Sequence, residues 1–214
     1  MKAHERRWPA SLAVAMIIGL QFAAPEQIVP PWWPVLVGVE VLLLVPLVAT
    51  NPVSLNRDHP MLRASAVALS VLLLAVNAGR LVQLFTTMVN EEKLSAGHLI
   101  GSGALIWSTN IVAVAVVFWE LDRGGPFARD PRHARPEGTG DLLFPQMTGV
   151  PGWDPGTWLP SFVDYVFVAF TAATAFSPTD TMPMTGRAKT LMMAASSVSL
   201  ATIAIVAARA VNIL

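Results

Sequence analysis

Long apolar runs separated by short polar ones fill most of this chain. A helix rises about 1.5 Å per residue, so crossing a hydrocarbon core of about 30 Å takes roughly 20 mostly apolar residues. Six stretches approach that length, at 8–24, 35–50, 64–89, 96–119, 160–176 and 188–213. The second carries Pro46 and the fifth opens on Pro160, where proline suits the first helical turn. Together they predict an all-α fold, a polytopic membrane helical bundle of about six transmembrane helices. It forms a single integral membrane domain over residues 1–214, with a polar loop at about 122–159. That loop is rich in Pro, Gly and Arg and lacks a helical period, with one helical turn expected near Leu142. Inside it, residues 141–146 read DLLFPQ, an apolar island expected to rest on the bilayer surface or pack under the helices.

Composition agrees with a bilayer. Hydrophobic residues make up 54% of the chain, charged residues 13%, and the mean hydropathy is +0.56. A soluble domain carries about 25% charged residues. The formal net charge is zero, which gives no electrostatic footprint for nucleic acid. No cysteine is present, so disulfides, thiolate catalysis and Cys-based zinc sites are excluded. G-x-S-x-G, H-E-x-x-H and phosphate-binding G-x-x-x-x-G-K-[ST] motifs are absent. No cofactor or metal is expected.

The first run imitates a signal peptide, with Lys2, Arg6 and Arg7 ahead of it and Ala23-Ala24 behind. Phe22 or Gln21 would occupy the −3 position of a cleavage site, so an uncleaved helix is expected. Trp32 and Trp33 suit the membrane interface. With six spans and the N-terminus cytoplasmic, the inner side holds Lys2, Arg6, Arg7, Arg57, Arg63, Arg123, Arg129, Arg132 and Arg135. The outer side then holds Lys93, Arg187 and Lys189, so both termini are expected inside. The fifth segment is open between a full span and a re-entrant half-helix. Its roughly 17 residues just reach across, and no glycine eases a turn between Thr171 and Thr185, which favours the full span. A hairpin turning at 178–186 would then bring Asp164 and Arg209 to one face as an interhelix pair.

Ionisable groups inside a span are costly and mark function by default. Arg80 lies about 13 Å below the outer end of its helix and Glu40 about 9 Å below the same side. Those depths fit an ion pair, with Asn77 one turn before Arg80 on the same face. Such a pair either fixes helix register or forms part of a solute or proton site; the third alternative is that Arg80 snorkels to the outer headgroups. Asn110, with Ser108 and Thr109, forms a polar patch suited to interhelix hydrogen bonding. His98 reads as a solvated interfacial side chain. Met182, Met184, Met192 and Met193 read as flexible filler. Ser197-x-x-x-Ala201 and Ala204-x-x-x-Ala208 give a face for close helix packing, against the fifth helix or a second protomer.

Two resemblances follow from particular residues. The stretches DLLFPQ (141–146), DYVFVAFTAATAFSPTD (164–180), Arg187-Ala188-Lys189 and ARAVNIL (208–214) resemble a family of bacterial multi-pass membrane proteins of unknown function. WELDRGGP at 119–126 resembles its actinobacterial branch. This implies the bacterial inner (cytoplasmic) membrane and no particular activity. Thr174, Ser177, Pro178 and Asp180 also sit where the pore module of tetrameric potassium channels carries its filter, so a pore-loop-like turn is implied there. The departure is at the filter itself. Ser177 and Thr179 replace glycines that would allow positive φ, and Pro178 fixes φ near −65°. A cage of backbone carbonyls selective for potassium is therefore not expected. The expected function is a non-enzymatic channel-like or transporter-like unit, or an accessory subunit of a membrane complex. Its partners would be the lipid bilayer and either further copies or other membrane subunits. The alternative is a membrane-embedded enzyme using the intramembrane polar residues.

Overall fold

In the computed structural model, residues 7–22, 29, 31, 33–50, 60–90, 95–129, 140–155, 158–174 and 180–213 are described. The apolar runs become α1 (Trp8–Gln21), α2 (Trp33–Thr50), α3 (Pro60–Val89) and α4 (Ala96–Leu121), then, beyond the polar loop, α6 (Phe162–Thr174) and α7 (Gly186–Ile213). α2 runs on through Pro46. A short α5 (Pro126–Arg129) follows α4. Three helices are long and apolar enough to cross a membrane, over Met61–Val89, Gly97–Gly124 and Gly186–Arg209. α4 is the central one, packed against α1, α3, α6 and α7. Of its apolar window 61% is buried, against 17% for that of α7.

The end of α4 organises everything after it. Arg123 adopts φ 50°, and Gly124 and Gly125 follow at φ 82° and 94°. Three left-handed residues in a row turn the chain sharply away from the helix. A Cβ on Gly125 would lie 2.9 Å from the Glu120 carbonyl oxygen, so the turn requires glycine there. Arg129 reaches back and donates from Nη1 to the carbonyls of Trp119 (2.8 Å) and Asp122 (2.6 Å). A cation at a helix C-terminus satisfies orphan carbonyls and the dipole together.

Asp122, fully buried, is the junction. Its Oδ1 accepts from the backbone N–H of Asp141 (2.8 Å) and of Leu142 (3.3 Å). Its Oδ2 accepts from the Tyr165 hydroxyl (2.7 Å) and pairs with Arg123 (3.3 Å). Asp141 in turn holds the start of α7. Its carboxylate takes both Nε and Nη2 of Arg187 at 2.6 Å, and Thr185 Oγ1 as well. Strand β1 (Leu142–Leu143) then pairs antiparallel with β2 (Met182–Pro183), Leu142 opposite Pro183 and Leu143 opposite Met182. Instead of a helical turn near Leu142, the loop forms this strand and a 3₁₀ turn at Pro145–Met147. Leu142 and Phe144 enter the core, with Phe144 edge-on to Tyr165 at 5.6 Å, so the apolar island packs under the helices.

These contacts overturn the expected hairpin. α6 and α7 both begin at the Asp122 end and run in the same direction. Ser196 Oγ donates to the Ala172 carbonyl at 2.9 Å, and each residue lies ten positions past the start of its helix, 186 to 196 and 162 to 172. α6 has 13 residues, or about 20 Å of helix, well short of a hydrocarbon core. The physical reason is one long-range ion pair. The buried Asp141 carboxylate needs a cation, and Arg187 reaches it only if the chain comes back to the end from which α6 started. Hydropathy along 160–176 does not record that requirement.

Two outcomes check this architecture. The chain has no cysteine, so Met184→Cys and Trp153→Cys should label from one side of reconstituted vesicles and Ser95→Cys from the other. Labelling of Met184→Cys together with Ser95→Cys would restore the full-span arrangement. Asp122→Ala strands several buried donors and should lower unfolding stability by about 3 kcal/mol or more, measured by chemical denaturation in detergent.

Candidate functional site

The polar groups of the apolar helices meet near the other end of α1, α2 and α3. Glu40 is fully buried on α2, and Arg80 on α3 is 4% exposed. No direct ion pair joins them. Gln21, the last residue of α1, stands between: its Nε2 donates to Glu40 Oε2 (2.5 Å), and its Oε1 accepts from Arg80 Nη2 (2.9 Å). The expected salt bridge is thus replaced by a charge–amide–charge relay across three helices. An amide can donate to a carboxylate with one end and accept from a guanidinium with the other. Gln21 was invisible as a partner because a polar residue at a helix end reads as interfacial. The available signal was its place as the polar stop of an otherwise apolar run.

The relay is incomplete. Glu40 Oε1, Arg80 Nη1 and both amide atoms of Asn77 are buried without a hydrogen-bond partner. Buried polar atoms are normally paired, so such a cluster calls for an explanation. Beside it lies a cleft of about 210 Å³, lined among others by Gln21, Arg80, Gly79, Gln83, Trp33 and Leu36. Arg80 and Gln21 form part of its wall; Glu40 and Asn77 do not.

The other predicted residues have separate places. Asn110 donates from Nδ2 to the Ala195 carbonyl (2.8 Å) and to Ser199 Oγ (2.9 Å), tying α4 to α7. Gly103 lies against Val206 farther along the same crossing, where a Cβ would fall 2.5 Å from a valine methyl. Asp164 caps α6, its Oδ2 accepting from the N–H and hydroxyl of Ser161, both at 2.7 Å. Arg209 lies near the opposite end of α7, so the expected Asp164–Arg209 pair does not form. Its premise was the hairpin that the parallel α6 and α7 exclude. Thr174 ends α6, with its hydroxyl donating to the Thr171 carbonyl. Asp180 is exposed just before β2. Ser177 and Pro178 lie outside the described residues.

A second polar cluster near the Asp122 end escaped the sequence reading. Arg7 pairs with Glu120 at 2.9 Å and lies over the Trp119 ring at 5.4 Å, fixing the start of α1 to the end of α4. Among the described residues, no group of three or more His, Asp or Glu is placed to hold a metal ion. Compared with known proteins, the chain matches no family model, no curated protein and no solved structure.

Removing one partner of a buried charge pair costs about 3–5 kcal/mol. Glu40→Ala and Gln21→Leu should each lower the melting temperature of detergent-solubilised protein, and the double variant should lose less than the sum. Full additivity of the two losses would dissolve the relay.

Proposed function

We propose that this chain is a non-enzymatic integral membrane protein, a transporter-like or channel-like unit whose polar site is the Gln21–Glu40–Arg80 relay with Asn77. The observation that carries this reading is a buried guanidinium with an unpaired nitrogen at the wall of a 210 Å³ cleft. A residue used only to fix helix register has no need of unspent hydrogen-bonding capacity beside an open volume. An intramembrane charge is tolerated where it serves a solute or ion path.

In this reading α1, α2, α3, α4 and α7 each carry the chain from one face of the inner membrane of a bacterium toward the other, α1 with only 14 helical residues, and α6 enters as a half-helix because the chain after it returns to the end where it began. Arg7, Arg63, Arg123, Arg129, Arg187 and Lys189 all belong to the Asp122 end, while Arg209 stands toward the other. The positive-inside rule then makes the Asp122 end cytoplasmic. An odd number of crossings puts the C-terminus outside, in place of the inside position expected from six spans. The succession of α4, half-helix α6 and α7 supports the resemblance to a pore module in outline, while Ser177-Pro178-Thr179 argues against a potassium filter. The largely uncovered α7 supports partnership with further copies or another membrane subunit.

Reconstituted vesicles test the function. Osmotic shrinkage assays with sodium, potassium, chloride, acetate and glycine should show protein-dependent permeability to at least one solute, lost in Arg80→Gln. No potassium-over-sodium selectivity is expected. Vesicles no more permeable than bare lipid across the panel would leave only the accessory role.

A further inference from the structure

From the chemistry of the cleft we infer that it is a binding site for a small carboxylate, held by Arg80. This rests on the transporter-like reading in locating the site, and it names the ligand class. Among the described residues that line the cleft, Arg80 is the charged one, while Glu40 stands behind Gln21 and lines none of it. A ligand entering the cleft therefore meets the cation first. Nη2 of Arg80 is engaged by Gln21, and Nη1 is buried without a partner, so a ligand takes it only as the side chain turns into the cleft. A guanidinium prefers planar oxyanions, and a carboxylate can take a free nitrogen in a charge-assisted hydrogen bond. Gln83, on the same wall, supplies an amide at the next helical turn.

The rest of the wall sets the size and character of the ligand. Trp33 and Leu36 face it from α2, and Gly79 leaves it room: a Cβ built there meets nothing within 4 Å. About 210 Å³ equals roughly seven waters of liquid volume. That fits an acid of a few carbons with an apolar body. Phosphate, heavily hydrated and without apolar surface, gains nothing from such walls. The carboxylate group is shared by short acids from water and by fatty acids from the bilayer, so both enter the test.

Calorimetric titration of the full chain in nanodiscs, against empty nanodiscs, with butyrate, butyramide, laurate and phosphate decides it. Saturable binding of butyrate or laurate, with butyramide about ten- to a hundredfold weaker, is expected; the tighter of the two acids identifies the source. Arg80→Gln should lose the binding. Gly79→Leu fills the cleft while leaving every residue of the relay in the chain, and it replaces glycine with a better helix former. It should therefore fold and still lose the acid, which keeps the test decisive if Arg80→Gln does not fold. Equal binding of butyrate and butyramide, tighter binding of phosphate, or unchanged affinity in Gly79→Leu overturns the inference. Protein-dependent flux of chloride or cations without carboxylate binding sinks this inference and leaves the proposed function standing. Carboxylate binding without any flux does the reverse.

Discussion

The fold depends on one buried carboxylate. Asp122 ends α4 and carries no exposed surface, yet it accepts from two backbone N–H groups of the 141–142 segment and from Tyr165 on α6. An ionised carboxylate so buried is tolerable only with partners of this kind, since an unpaired one would cost many kcal/mol. Meeting that demand brings the polar loop under the helices and sets the entry point of α6. Through Asp141 and Arg187 it also sets the entry point of α7. The left-handed turn at Arg123, Gly124 and Gly125 brings α5 back so that Arg129 reaches the Asp122 carbonyl.

The relay obeys the opposite logic. Near Asp122 every carboxylate oxygen is engaged, and the result is a fixed joint. At Gln21, Glu40 and Arg80 the three helices leave several polar atoms idle next to empty volume. A protein selected only for stability would fill such a place with apolar side chains, which are often as stable or more so than a buried ion pair. The contrast between two carboxylates with both oxygens engaged, at Asp122 and Asp141, and Glu40 with one idle separates scaffold from site within one chain.

Much of the helix inventory was legible in the sequence. Apolar runs predicted the helices to within a few residues, because periodic burial and hydropathy are written locally. Depth was legible too: counting residues put Glu40 and Arg80 at similar levels, and both belong to one network. Gln21 was not legible, because a polar residue at a helix end fits an interfacial position equally well. The direction of α6 was hidden for a different reason. It is decided by Asp141 and Arg187, which lie on either side of it in sequence, and no window that spans the helix alone contains both. The Asp164–Arg209 pair failed with the hairpin it assumed. The apolar character of DLLFPQ was plain, while its pairing with Met182–Pro183 depends on that same long-range ion pair.

The length of α6 bears on how the protein is made. At 13 residues α6 falls short of the roughly 20 that a span takes, as α1 does at 14, so packing against its neighbours must hold it. Tyr165 has Asp122 already available, but Asp141 has no cation until Arg187 is synthesised, 46 residues later. During that interval the half-helix has one anchor and the loop beneath it carries an uncompensated carboxylate. Assembly therefore has a built-in order: the start of α7 must reach Asp141 before the loop beneath α6 is fixed, and a chain truncated ahead of Arg187 leaves that carboxylate unpaired.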